Sequence, residues 1–275
     1  MIHKIENISL YGIKVSIFEK DQLIRYFEET LSAKKQIICY GLSLGMFSKF
    51  KKEPEIYLYS DKFDIMVTDG KPFYWFGKFL GFPLKSFLSI PEMTLLTLDI
   101  ANKYNYKVLM VGGTPENNKK AIINLRNKYG NMQVLDGIDG FFKQEDEENI
   151  ISRIQQLNPD ILLIGMPSPK KEIFAYTCKN KTSCSIIVPC GGMIDILAGN
   201  YKLTPKWLKK LGLALIFRYI QQPISRFRVT SYALINFSIL FPVLMAVKIF
   251  RIKKFSIPSY FGIKKTEPDI EIPLK

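Results

Sequence analysis

Residues 159–172 read "PDILLIGMPSPKKE", and this stretch decides the fold. Its apolar centre, Ile161 to Ile164, has no polar alternation, so a strand there is covered on both faces. The run stops at Gly165 and enters a helix start, with Ser168 read as the N-cap and Pro169 as the first helical residue. A doubly covered strand followed directly by a helix is half of a parallel βαβ unit.

The same device recurs in both directions. Strand-like runs stand at "KQIICY" (35–40), "FDIMVTDG" (63–70), "YKVLMVGG" (106–113), "MQVLDG" (132–137) and "SIIVPCGG" (185–192). Helical patterns at 21–33, 91–104, 115–129, 144–157 and 169–179 separate most of them. The class is α/β, a mostly parallel sheet with helices on both faces. The opening stretch, "MIHKIENISLYGIKVSIF", alternates like a strand and lacks the apolar core of a signal peptide, which places the protein in the cytoplasm.

After "LAGNYKLTPKW" (197–207) no further strand-helix unit follows. The expected division is a core over 1–200, a basic and apolar helical appendage over 201–255, and a flexible tail over 256–275. Charge supports the break. The chain carries +14 in all, and residues 201–275 hold 14 Lys/Arg against 3 acids. Such a segment wants an anionic partner: nucleic acid, anionic lipid or substrate phosphate. Residues 232–247, "YALINFSILFPVLMAV", are uncharged and flanked by basic residues. At ~1.5 Å per residue they reach about 24 Å, short of a ~30 Å hydrocarbon layer, and Asn236 and Pro242 weaken a spanning helix further. The preferred reading is a helix lying in the inner leaflet; packing on the core or a partner subunit, and a single span, are the alternatives. Aromatic residues are not interleaved with the basic ones, so membrane is favoured over nucleic acid.

Other chemistry is narrowed by composition. The single histidine is His3, and the four cysteines form no C-x-x-C pair. That removes His-based triads and most zinc sites, and leaves buried free thiols. Neither G-x-G-x-x-G nor G-x-x-x-x-G-K-[ST] occurs, which disfavours dinucleotide redox binding and P-loop hydrolysis. Glycines do end the strands: Gly112 and Gly113, Gly165, Gly191 and Gly192. After Gly113, Thr114 is placed as an N-cap and Pro115 at the first helical position. In a parallel sheet these ends share one edge, where free N–H groups favour anions, so nucleotide or phosphate binding is the expectation. Asp69 ends its strand in front of Gly70. A carboxylate there is either a cap or a group held for chemistry, and the residue types alone leave both open.

The order "TDG" (68–70), "VGGTPE" (111–116), "DGFF" (139–142), "PDILLIGMPSPKKE" and "GGMIDILAGNYKLTPKWLKKLGLALIFRYIQQPISRFR" (191–228) resembles the WecG/TagA/CpsF glycosyltransferases, family 26, from about residue 8 to residue 230. The resemblance implies a Rossmann-like core with a membrane-associating C-terminal appendage. It implies an inverting enzyme of bacterial cell-surface polymer assembly that moves a sugar from a UDP-sugar to a polyprenyl-diphosphate-linked saccharide, with no metal and no cofactor. No D-x-D stretch, the usual cation handle, occurs. The expected location is then the inner face of the cell membrane, with anionic lipids as partners, no nucleic acid, and a homo-oligomer left open.

Within that resemblance Asp69 matches the catalytic aspartate and becomes the general base. Arg218 and Arg228 are the catalytic candidates for stabilising departing UDP, with Arg226 a binding candidate; a lipid-facing basic helix is the other reading of all three. Asp195 matches a position for sugar or ribose hydroxyls, or else serves the helix dipole. Phe141 stands near the base position, with core packing as the alternative. Gly41, Gly112, Gly113, Thr114, Gly165, Lys171, Gly191 and Gly192 complete the expected substrate contacts. Three positions depart from the pattern: Gly41 stands for the usual threonine, the usual arginine aligns near Ser86, and Lys171 stands for glutamine. The donor sugar is therefore open. A non-catalytic nucleotide-sugar binder or scaffold of the same pathway is the competing reading.

Overall fold

The computed structural model describes residues 4–43, 46, 49–252 and 254–263; between 225 and 237 it describes the side chains of Phe227, Ser231 and Ile235 only. Six strands form one parallel sheet: β3 (Ile37–Leu42), β4 (Ile65–Thr68), β5 (Lys107–Gly112), β6 (Gln133–Val134), β7 (Ile161–Gly165) and β8 (Ile186–Pro189), in the spatial order β4-β3-β8-β7-β5-β6. Every neighbouring pair is parallel. This is the Rossmann-like α/β architecture that the uninterrupted apolar runs require.

Side-chain alternation divides the core in two. Ile38, Tyr40, Leu42, Leu162 and Ile164 face one layer, while Ile37, Cys39, Ile161 and Leu163 face the other. A period of two with both sets buried is what helices on both faces produce. The first layer is covered by α2 (Glu55–Ser60), α3 (Lys71–Phe79), α6 (Glu147–Leu157) and α7 (Lys170–Lys181); the second by α1 (Lys20–Ser32), α4 (Ile90–Tyr104), α5 (Pro115–Lys128) and α8 (Met193–Leu197). All four cysteines are buried and free.

The N-terminal stretch is two strands, not one. Tyr11 (φ 47°) and Gly12 (φ 86°) form a tight turn between β1 (Glu6–Leu10) and β2 (Ile13–Ile17). Two consecutive positive-φ residues match the right-handed twist of a hairpin.

The chain leaves β5 toward β6 and leaves β7 toward β8, in opposite directions across the sheet. The crevice above β5 and β7 is thus a topological switch point. Gly112 and Gly165 are paired in register there. A Cβ on Gly112 would lie 2.4 Å from the Gly165 carbonyl oxygen, and its φ is +133°, so only glycine fits this backbone approach.

Beyond β8 the described chain is helical: α9 (Lys206–Lys210), α10 (Ala214–Gln221), α11 (Pro223–Ile249) and α12 (Ile257–Tyr260). Lys209 pairs with Glu92 at 3.2 Å, tying α9 to the start of α4. On α11, Leu240, Leu244 and Val247 are buried, and Phe241 stacks on Phe76 of α3 at 5.5 Å. The expected tail begins with α12, whose Ile257 N–H donates to the Tyr11 carbonyl at 2.8 Å. Residues 264–275 lie outside the described residues. Among the described residues no helix is long and apolar enough to cross a membrane.

Candidate active site

A cleft of about 260 Å³ opens at the carboxyl ends of β4, β3 and β8. Its walls include Gly41, Asp69, Lys171, Gly191, Gly192 and Arg218, so six expected site residues, spread over nearly 180 positions of chain, meet in one place. The α10 helix supplies Arg218 and Gln221 to one wall. Gln221 anchors that wall by accepting from the Lys202 N–H at 2.7 Å and donating to its carbonyl at 3.1 Å.

Asp69 is half-buried and held from two sides. Its backbone N–H donates to the Leu42 carbonyl at 2.8 Å, continuing the ladder one residue past β4. Its Oδ1 accepts from the Ile90 N–H at 3.3 Å. Ile90 is the first residue of the 15-residue helix α4, so the carboxylate sits at a helix N-terminus, where free N–H groups and the dipole favour negative charge. Ser89 and Glu92 close that end as a capping box. Burial alone would raise the Glu92 carboxyl, but its two bonds from Ser89 and the Lys209 ammonium outweigh burial and hold it below the usual range.

Gly41 explains its own departure from threonine. A Cβ there would stand 2.5 Å from both Cγ1 and Cδ1 of Ile90 and 3.0 Å from the Asp69 Cβ. The space a larger residue would fill is taken by Ile90.

Gly112, Gly113, Thr114, Phe141, Gly165 and Asp195 are not in the walls of this cleft. Gly112, Gly113 and Gly165 form the backbone crossing at the β5/β7 crevice, where the Gly113 N–H donates to the Gly165 carbonyl at 3.1 Å. Thr114 caps α5, accepting from the Asn117 N–H. Asp195 accepts from the Asn117 amide at 2.8 Å, and Asn117 in turn accepts from Asn200 at 2.9 Å. Through Gly192 this network adjoins the cleft. Phe141 is 73% exposed, which excludes core packing. Ser86 bonds the Phe18 carbonyl at 2.5 Å and does not line the cleft. The side chains of Arg226 and Arg228 lie outside the described residues.

Ser168 departs from its expected role as an N-cap. Helix α7 starts at Lys170 with Pro169 at its cap, and the Ser168 hydroxyl donates to Glu172 Oε1 at 2.8 Å. The buried carboxylate takes the hydroxyl that the capping rule assigns to the backbone. Lys49, Ser168, Ile90 and Gln221 also line the cleft and were missed; only "PSPKKE" carried a signal, since the others join the site solely through tertiary contact. A second cavity, about 530 Å³, lies at the amino ends of the strands among Lys4, Lys14, Lys35 and Lys62. It lacks the glycine edge on which parallel sheets take ligands.

A family model of glycosyl transferases, the WecG/TagA/CpsF family, matches residues 8–252. The chain belongs to this family. It is thereby a member of a glycosyltransferase family of cell-surface polysaccharide synthesis, whose reaction takes a nucleotide-sugar donor and a glycan acceptor. The WecG/TagA/CpsF match covers both the cleft and helices α9 and α10, so the α10 wall belongs to the family fold as much as the sheet does.

Proposed function

We propose that the protein is an inverting, metal-independent glycosyltransferase that moves a sugar from a UDP-sugar to a polyprenyl-diphosphate-linked saccharide. The observation that carries this reading is Asp69 held by the α4 N-terminus in a cleft whose walls also include Gly41, Gly191, Gly192, Lys171 and Arg218. In a single displacement the acceptor hydroxyl gives its proton to Asp69 while its oxygen attacks the anomeric carbon. The bond to the diphosphate breaks on the opposite face, and UDP departs with the electron pair. Lys171 and Arg218 supply positive charge to the cleft where that developing charge needs it. Asp195, held by Asn117, is assigned to sugar or ribose hydroxyls, Phe141 to the base, and Arg226 and Arg228 to the diphosphate.

Residues 1–200 form the catalytic core in this reading, and 201–255 an appendage that attaches the enzyme to the inner face of the membrane. Exposed Trp207, Leu211, Leu215 and Ile216 support it. So does their continuity with α3: Trp75 lies against Gly212, and Lys71 spans from the Trp75 ring to the Lys210 carbonyl at 2.6 Å. An apolar surface edged by lysines suits an anionic bilayer.

The test is a panel of UDP-sugars with a short polyprenyl-diphosphate saccharide, scored for UDP release with and without EDTA. Release unaffected by EDTA is expected. EDTA sensitivity overturns the metal-free mechanism, and donor binding without transfer favours the non-catalytic binder.

A further inference from the structure

Glu172 is the only wholly buried carboxylate among the described residues, at 0% exposure. Its Oε1 accepts from the Tyr40 hydroxyl and from Ser168 Oγ, with the Lys171 ammonium 3.6 Å away. Its Oε2 is buried with no hydrogen-bond partner. Burying a carboxylate is costly, and an apolar residue of the same shape commonly serves stability as well or better. An incompletely satisfied one calls for a reason beyond packing.

All three partners lead to the cleft. Ser168 and Lys171 line it, and Tyr40 precedes Gly41 on β3. Burial first, and then the neighbouring Glu172, push the Tyr40 hydroxyl well above its ordinary range, so it remains a donor to Glu172. The Lys171 ammonium stands 3.8 Å from where a Cβ would project at Gly191 and 5.2 Å from the Tyr40 ring centre. It therefore sits over the ends of β3 and β8. Asp69 sits on the other flank, at the end of β4 and against Gly41. β3 lies between β4 and β8 in the sheet, so the carboxylate and the ammonium approach its end from opposite sides.

We propose that Lys171 is the catalytic cation that takes up charge on the departing diphosphate, and that Glu172 is the positioning residue that aims it. The inference rests on the glycosyltransferase reading above. Displacement with inversion needs the base and the leaving group on opposite faces of the anomeric carbon, which is how Asp69 and Lys171 flank Gly41. At 3.6 Å the Lys171–Glu172 pair is longer than a charge-assisted hydrogen bond of about 2.8 Å, and Oε1 is already shared by two hydroxyls. The ammonium is held in direction while its donors stay available to phosphate oxygens. With only 16% of the Lys171 side chain exposed, the charge acts in a medium less screening than water.

The test uses the full chain and UDP, followed by calorimetry and by phosphorus NMR of the bound nucleotide. Lys171→Gln is expected to weaken UDP binding about 10- to 100-fold and to remove the bound-state shift of the β-phosphorus while sparing the α-phosphorus. Glu172→Gln is expected to reproduce that β-phosphorus change with Lys171 present, and Glu172→Asp to restore part of it. Should Glu172→Gln not fold, Tyr40→Phe, which removes one donor from Oε1, reads the same resonance. An unchanged β-phosphorus and unchanged UDP affinity in Lys171→Gln overturn the proposal. So does a Lys171→Gln variant that binds UDP normally but loses preference for UDP-glucuronate over UDP-glucose, because the ammonium then reads a sugar carboxylate. If the wild type binds no UDP, the nucleotide-sugar reading fails and the inference falls with it.

Discussion

The Ile90 N–H donates to Asp69 Oδ1 across 3.3 Å, so the candidate base is aimed by the first residue of a helix that begins 21 positions later. The bond engages Oδ1 and leaves Oδ2 for a substrate hydroxyl. Asp69→Asn keeps an oxygen for the Ile90 N–H and removes only the proton-accepting function. Transfer is expected to fall about 10²- to 10⁴-fold with UDP binding and melting temperature near wild type. Steady-state UDP release with calorimetry checks this.

Gly41 and Ile90 compete for one volume. Gly41→Thr places a Cβ 2.5 Å from two Ile90 side-chain carbons, and turning the Ile90 tip alone does not clear both. A loss of about 1–3 kcal/mol by urea unfolding is expected, together with reduced transfer as the α4 start shifts from Asp69. Ile90→Ala in the same chain should recover part of the stability.

Glu92 links pH to the attachment of α9. Its carboxyl is held below its ordinary value, so the pair with Lys209 stabilises the fold above the unfolded-state pKa of about 4.3 and loses that contribution as pH falls through the folded value. Thermal melts from neutral to acid pH should show a steeper decline for the wild type than for Glu92→Gln over that window, with the two converging at the acid end.

The thiols are expected to be silent. Burial pushes Cys190 up to about 12 and Cys184 to about 11, and raises Cys39 and Cys178 well above their usual value. A thiol reagent at pH 8 should leave the native protein unmodified and titrate four groups in denaturant.

The lysine-edged apolar surface predicts vesicle binding that depends on anionic lipid and falls with salt. Lys206→Glu with Lys210→Glu should weaken flotation at least about tenfold, at ~1 kcal/mol per basic group near the surface. Trp207→Ser should weaken it without changing UDP binding.

Much of the architecture was legible along the chain because it is written in local periodicity. Uninterrupted runs such as Ile161–Ile164 demand cover on both faces, and terminal glycines mark where the backbone must turn. Two sheet-covering helices among the described residues escaped: α3, at nine residues, and α2, at six, are too short for a period to be counted over several turns. Reading the hairpin as a single strand overlooks the change of phase across Tyr11 and Gly12, where the apolar positions shift from Ile8 and Leu10 to Ile13, Val15 and Ile17.

The residues themselves determined the parallel sheet, the glycine edge and the basic C-terminal quarter, since each follows from composition and spacing within a few turns of chain. Only the tertiary structure decided that Asp69 is held by Ile90, that Gly41 makes room for that same residue, and that Glu172 takes the Ser168 hydroxyl and stands beside Lys171. These are contacts between segments tens of residues apart or between groups competing for one partner. Their energies depend on which atoms the packed core brings within about 3 Å of each other, and no periodicity in the chain encodes that.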